Sequence, residues 1–275
     1  MHLKASLAVV GLATILGGTA PTAGAQGVAR PEPEPLFRRS ELWGALALTA
    51  VTIALLPVDQ AVAERLSHNR ISDSLSGGDG HKNLTEPIAN VNEYRLFYAS
   101  AGTWAIARLA GRDRMSDLAW HATEAIVVSR ILTDVVGGLA GRARPRVNMD
   151  AKDFELWRGF TTVGYHAFPS RHAAAAFAFA TVLTKETKRY WPDATLWVAI
   201  PAYALATTVG FGRMYTDHHW ATDVLVAAAF GYFAGAKVVR YSHTHPNNTL
   251  DRIMLGRRTD AAGEMQTLIG IQRNF

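Results

Sequence analysis

The sequence contains no cysteine, which excludes disulfides, thiolate metal centres and cysteine nucleophiles. Charge is scarce. Only 19% of the 275 residues are charged, against ~25% in ordinary soluble proteins. No long basic helix face occurs, and the net charge of +5 is scattered over loops, which argues against a nucleic-acid binder. A period-2 strand series and internal repeats are also missing, so sheet and solenoid architectures are set aside.

What the chain does have is apolar helix. Six segments rich in Ala, Leu, Val and aromatics run at about 42–58, 96–110, 118–140, 172–184, 194–211 and 222–239, each bounded by charge, Pro or Gly. They predict an all-α fold, a bundle of about six helices. The first and fifth approach the ~20 apolar residues that a bilayer span needs. The third carries Glu124, Arg130 and Asp134, which are costly in lipid unless they face the bundle interior. The basic loops hold Arg38 and Arg39, Arg112 and Arg114, Lys185, Lys188 and Arg189, and Lys237 and Arg240. In a six-span protein all of them fall on one side, the cytoplasmic one.

Residues 1–25 read as a signal peptide or N-terminal anchor: Lys4, an apolar run over 5–20, then Ala23-Gly24-Ala25 before Gln26. Pro31, Pro33 and Pro35 make 26–40 an extended linker. The helical domain is expected at 41–242 and a polar tail at 243–275, with 267–271 able to form a short strand. A cleaved signal leaves the mature N-terminus outside, the reverse of what the basic loops require of six spans. A membrane bundle and a soluble periplasmic bundle therefore both stay open, and both belong to the cell envelope.

Three polar clusters sit at the ends of apolar segments. Gly141-Arg142-Ala143-Arg144-Pro145 closes the third segment, Phe168-Pro169-Ser170-Arg171-His172 opens the fourth, and Gly212-Arg213, His219 and Asp223 join the fifth to the sixth. Phosphoryl transfer needs cations on the equatorial oxygens, an in-line nucleophile and an acid for the leaving oxygen. Arg144 and Arg213 supply planar forks that match phosphate. Ser170 offers a hydroxyl beside the amides of a helix N-terminus. His172 and His219 can divide the roles of acid and nucleophile. Asp223, four residues after His219, can orient its ring. Singly, each has an ordinary structural reading: a helix terminus, an N-cap, a structural His–Asp pair. Their order and their shared place at helix ends favour one site.

These clusters resemble the signature of the type 2 phosphatidic acid phosphatase superfamily, which includes bacterial class A acid phosphatases and vanadium haloperoxidases. Its pattern is Lys, six residues, Arg-Pro; then Pro-Ser-Gly-His; then Ser-Arg, five residues, His, three residues, Asp. Arg144-Pro145, Pro169-Ser170-Arg171-His172, and Arg213, His219 and Asp223 match it in order over about residues 95–240. The resemblance implies a helical bundle of the acid phosphatase and haloperoxidase type, embedded in a membrane, and a phosphoric ester hydrolase without metal or cofactor. His219 would take the phosphoryl group, Asp223 hold its ring, and His172 protonate the leaving oxygen. Arg144, Arg213 and Ser170 would bind the phosphate. The implied substrate is a lipid or prenyl phosphate monoester or diphosphate, met with the site facing the periplasm or exterior. A soluble broad-specificity periplasmic acid phosphatase and a catalytically weakened bundle are the alternatives.

Three positions depart from the pattern: Gly137 stands at the expected Lys, Arg171 at the Gly, and Gly212 at the Ser. Arg171, or Arg142 in second place, is the candidate replacement for the missing cation, so Arg171 joins the phosphate-binding set. Outside the signature, His166 is a candidate for the entrance, and His218 and Asp217 read as loop and turn residues. His121 and Glu124, three apart, resemble half of a carboxylate-bridged metal motif. No second copy occurs at matching spacing, which favours interior polar pairing.

Overall fold

The computed structural model describes residues 38–75, 91–245, 248–255, 257–259 and 265–267. The fold is an all-α bundle. Its long helices are α1 (Arg39–Leu75), α2 (Glu93–Leu109), α3 (Asp113–Ala140), α5 (Arg171–Tyr190), α6 (Thr195–Tyr215) and α7 (Ala221–Thr244), one for each apolar segment. A single turn, α4 (Arg158–Thr161), precedes α5, and a short α8 (Thr249–Met254) comes after α7. In the tail, β1 (Arg257–Thr259) pairs antiparallel with β2 (Met265–Thr267). The strand expected at 267–271 meets β2 only at Thr267; residues 268–271, like the signal or anchor over 1–25 and the linker up to 37, lie outside the described residues.

α5 is the central helix and packs on α3, α6 and α7. Its run of small residues permits this: Ala173 to Ala176, Ala178 and Ala180 are all buried. Gly231 and Gly235, four apart on α7, meet the backbone of α5 directly. A Cβ at Gly231 would collide with the Ala174 carbonyl, and one at Gly235 would lie 2.8 Å from that of Ala178. Small residues at such spacing let helices approach closely where water supplies no drive to associate.

α1 is longer than the expected 42–58. It continues through Pro57 to Leu75, because the residues beyond the apolar run are polar but still helix-forming, with Gln60 donating to Glu64 at 3.0 Å. Near one end, Glu41 accepts from Lys237 Nζ at 2.6 Å and from Arg240 Nη2 at 3.2 Å. Further on, Asp59 accepts the Thr222 N–H at 2.8 Å. α1 thus runs antiparallel along α7. From 41 to 59 the helix rises about 27 Å at ~1.5 Å per residue, close to a hydrocarbon core of ~30 Å. Residues 42–58 hold no charge, and Leu42, Trp43, Leu46 and Ile53 are exposed, as are Leu196, Trp197 and Ile200 on α6. α1, α6 and α7 are each long and apolar enough to cross a membrane.

The bundle has two unlike poles. At the Glu41 end, Tyr190 of α5 donates to Asp117 of α3 at 2.6 Å, and Arg114 lies over the Tyr190 ring. This basic pole gathers the loops rich in Arg and Lys. The other pole carries the three polar clusters.

Candidate active site

The end of α3, the start of α5, the end of α6 and the start of α7 meet at this second pole. Gly141 ends α3 in the left-handed region (φ 54°), a conformation that costs glycine little. The chain then threads the clusters together through backbone bonds. Ala167 N–H donates to Arg142 O (3.1 Å), Arg144 N–H to Gly164 O (3.1 Å), Arg146 N–H to Asp217 O (3.1 Å) and Ser170 N–H to Asp223 O (3.2 Å).

His219 is 5% exposed. Its Nδ1 lies 2.6 Å from the Ala167 carbonyl, so Nδ1 carries the proton and Nε2 keeps its lone pair. Asp223 Oδ2 stands 3.7 Å from the same Nδ1. The Asp223 carboxylate has nearer partners: the Trp220 N–H at 2.7 Å and Arg142 Nη1 at 2.5 Å. A carbonyl therefore holds the ring at hydrogen-bond distance, with the carboxylate behind it.

Arg142 is fully buried. Besides Asp223 it donates to Asp59 Oδ2 at 2.7 Å, Thr222 Oγ1 at 2.9 Å and the Ala151 carbonyl at 2.7 Å. Thr222 also donates its hydroxyl to Asp59. These bonds leave Arg142 no reach toward a substrate phosphate. Its task is to lock α1 and α7 behind the site. Removing one partner of such a buried pair costs ~3–5 kcal/mol.

The groups expected to bind phosphate stand apart from this saturated network. Arg144 Nε, Arg213 Nε and Ser170 Oγ are buried without a hydrogen-bond partner among the described residues. Ser170 occupies the N-cap position of α5, yet its side chain makes no capping bond. Buried donors are nearly always paired, and these three, one from each cluster, together can take the oxygens of an anion. Arg171 is half-buried, with Nη1 3.3 Å from Asp134 Oδ1. Burial, then the charges of Arg146 and Arg171, lower the Arg144 pKa. Burial, followed by Arg213 and Arg144, holds His219 well below the ordinary imidazole value. Burial, then Arg213 and His219, depresses His172 as well. His172 and His219 thus lie within electrostatic reach of each other and of the same arginines.

Beside His172 stands a carboxylate that the sequence did not reveal. His172 Nδ1 is 3.3 Å from Glu93 Oε2 on α2, with no hydrogen bond between them. Glu93 is buried, and its other oxygen accepts from Arg130 Nη1 at 2.9 Å. In the sequence Glu93 is only an acid in the first turn of a helix, where the dipole favours one. Of the flanking residues, Asp217 adopts φ 54° in a turn. His218 Nδ1 lies 2.8 Å from the Thr216 carbonyl and Nε2 2.9 Å from Arg146 Nη1. Burial and Arg213 push the His218 pKa down to about 4. An apolar groove of about 250 Å³ runs beside α5, lined by Val91, Leu96, Phe179, Leu183, Ala202 and Val209, among others. Val91 is two residues from Glu93, and Val209 four from Arg213.

Residues 118–246 match the family model described as the PAP2 superfamily, a range that holds all three clusters. This part of the chain is similar to the PAP2 superfamily. Over 114 residues the chain is also 37% identical to the lipid A 1-phosphatase of Porphyromonas gingivalis, covering 36% of this chain and 25% of that protein. The chain spans about a quarter of the length of that curated relative. No solved structure matches it. Asp59 and Glu93 lie outside the matched segment, yet α1 and α2 bring them to the pole that holds the three clusters.

Proposed function

We propose that this chain is a phosphatase that removes phosphate from a lipid or prenyl phosphate at the outer face of a membrane, through a phosphohistidine on His219. The observation that carries the reading is the set of unpartnered buried donors, Arg144 Nε, Arg213 Nε and Ser170 Oγ, beside a histidine whose Nδ1–H is already given to Ala167. His219 Nε2 attacks phosphorus as the bond to the leaving oxygen breaks, and His172 gives that oxygen its proton. Water then attacks the phosphohistidine, His172 takes a proton from it, and the P–N bond breaks to release inorganic phosphate and restore His219. The arginines and the Ser170 hydroxyl carry the charge on the equatorial oxygens. A bound phosphate dianion offsets the arginine field and allows His172 to hold its proton.

The lipid part of the reading is supported by the relative named lipid A 1-phosphatase and by the groove, whose apolar lining suits a hydrocarbon chain running down from the headgroup. The basic pole suits the cytoplasmic side, which turns the site outward. The test is a phosphate-release screen in detergent over a lipid A-type glycolipid phosphate, phosphatidate, prenyl diphosphate and small soluble esters, with and without vanadate. The expected result is release from lipid phosphates in preference to soluble ones, inhibited by vanadate. Release from none of them would contradict the proposal.

A further inference from the structure

A second group of ionisable side chains is buried at the basic pole, away from the phosphate site. His121 on α3 is 2% exposed. Its Nδ1 is 2.6 Å from Glu186 Oε1 on α5. The two Glu186 oxygens also lie 2.9 and 3.0 Å from His243 Nε2 on α7. A carboxylate only accepts, so Nδ1 of His121 donates to Glu186, which leaves Nε2, once deprotonated, as the nitrogen open to a metal. Among the described residues that Nε2 is buried without a hydrogen-bond partner, and so is Asp251 Oδ1 on α8.

What Nε2 faces is anionic. Asp251 Oδ2 lies 3.9 Å away, beyond hydrogen-bond reach. Glu124 is one turn along α3, and ligand atoms of His121, Glu124 and Asp251 all lie within 4.8 Å of one another. Two carboxylates beside one buried imidazole nitrogen call for a cation among them, a metal ion or the proton of an imidazolium. Imidazole and carboxylate oxygen bind zinc at ~2.0–2.2 Å, which puts tetrahedral ligands ~3.4 Å apart, about half an ångström inside the His121–Asp251 separation.

We propose that His121 Nε2, Glu124 and Asp251 form a binding site for a divalent transition-metal ion of the zinc type. Glu186 orients His121 through Nδ1, the arrangement in which a metal-bound histidine gives its other N–H to a carboxylate, and His243 steadies Glu186. The sequence holds half of this set, His121 and Glu124 at helical spacing; the other half arrives from α8, more than a hundred residues later. The ion would clip α8 onto α3. Other anchors of α8 include the bond from Trp104 Nε1 to the Met254 carbonyl at 3.2 Å, the bond from Asn248 Nδ2 to Asp251 Oδ2 at 2.6 Å and the buried Leu255. The site is structural and separate from phosphate hydrolysis.

The full chain, purified in detergent with a histidine-free tag and stripped by dialysis against chelator, is titrated with zinc and separately with manganese. Bound metal and melting temperature are measured. The expected result is about one equivalent per chain with either ion and a melting temperature that rises with metal concentration. Both effects are lost in Glu124→Gln and Asp251→Asn, whose helical circular dichroism and phosphate release stay close to those of the unaltered chain. Glu186→Gln weakens binding by ~10–100-fold without abolishing it. No stoichiometric binding and no metal-dependent melting would overturn the proposal, a proton then balancing the carboxylates. Binding that survives both Glu124→Gln and Asp251→Asn would overturn it too.

Discussion

The ring of His166 occupies the space into which a side chain on Gly137 would grow: a Cβ at position 137 would lie 2.5 Å from His166 Nε2. His166 Nε2 has no hydrogen-bond partner and stands 3.6 Å from Asp134 Oδ1. Position 137 is where the superfamily pattern has its lysine. Glycine and histidine are therefore coupled here, each making room for the other. Gly137→Lys alone is expected to overpack the site, with a loss of ~1–3 kcal/mol, and to lower turnover. Gly137→Lys combined with His166→Gly should recover both. Thermal unfolding and phosphate release of the two variants check this; equal effects in both would refute the coupling.

Arg171 is the nearest candidate to replace the missing lysine charge. It sits at the start of α5, held by Asp134, and its charge is felt at Arg144 and His172. Arg171→Gly should cut kcat by ~10²–10³-fold, the scale of a lost oxyanion donor, with little change in melting temperature. Unchanged turnover would end the compensation idea.

The polar clusters and all six long helices were legible in the sequence, because apolar periodicity and fixed motif spacing are local properties. Glu93, Asp59 and the Ala167 carbonyl were not. Each acts on a partner far along the chain, and only the helix packing brings them together. Arg142 was readable as a spare phosphate cation, since a sequence shows its charge but not the two buried carboxylates that claim it. The extension of α1 to Leu75 was also hidden, because hydropathy marks the end of an apolar run and the helix continues past it.

The electrostatics of His219 set a pH signature. On the proposed mechanism His219 must be neutral to attack, and that form is lost as pH falls through the pKa of the folded ring. Burial, Arg213 and Arg144 hold that pKa well below 6.5. The acid limb of kcat/KM, which reports the free enzyme, should therefore lie below pH 6.5. Arg144→Gln removes one positive neighbour, raises the pKa and should move the acid limb upward. A limb that stays in place or moves down in this variant would contradict the assignment.

On the proposed mechanism Glu93, 3.3 Å from His172 Nδ1, would be a positioning residue. Glu93→Gln should lower kcat by ~10–100-fold, part of what a general acid contributes, with KM nearly unchanged, and Glu93→Asp should retain more activity than Gln. A loss confined to protein yield, with normal kcat in the purified variant, would reduce Glu93 to a structural partner of Arg130.

The most direct measurement is rapid acid quench of the enzyme during turnover of a substrate labelled with radioactive phosphate, followed by mapping of the label. The account predicts label on His219, absent in His219→Gln, and accumulating in His172→Asn when the substrate carries a good leaving group that needs no acid. Turnover without any protein-bound label, or a His219→Gln variant as active as the unaltered chain, would contradict it.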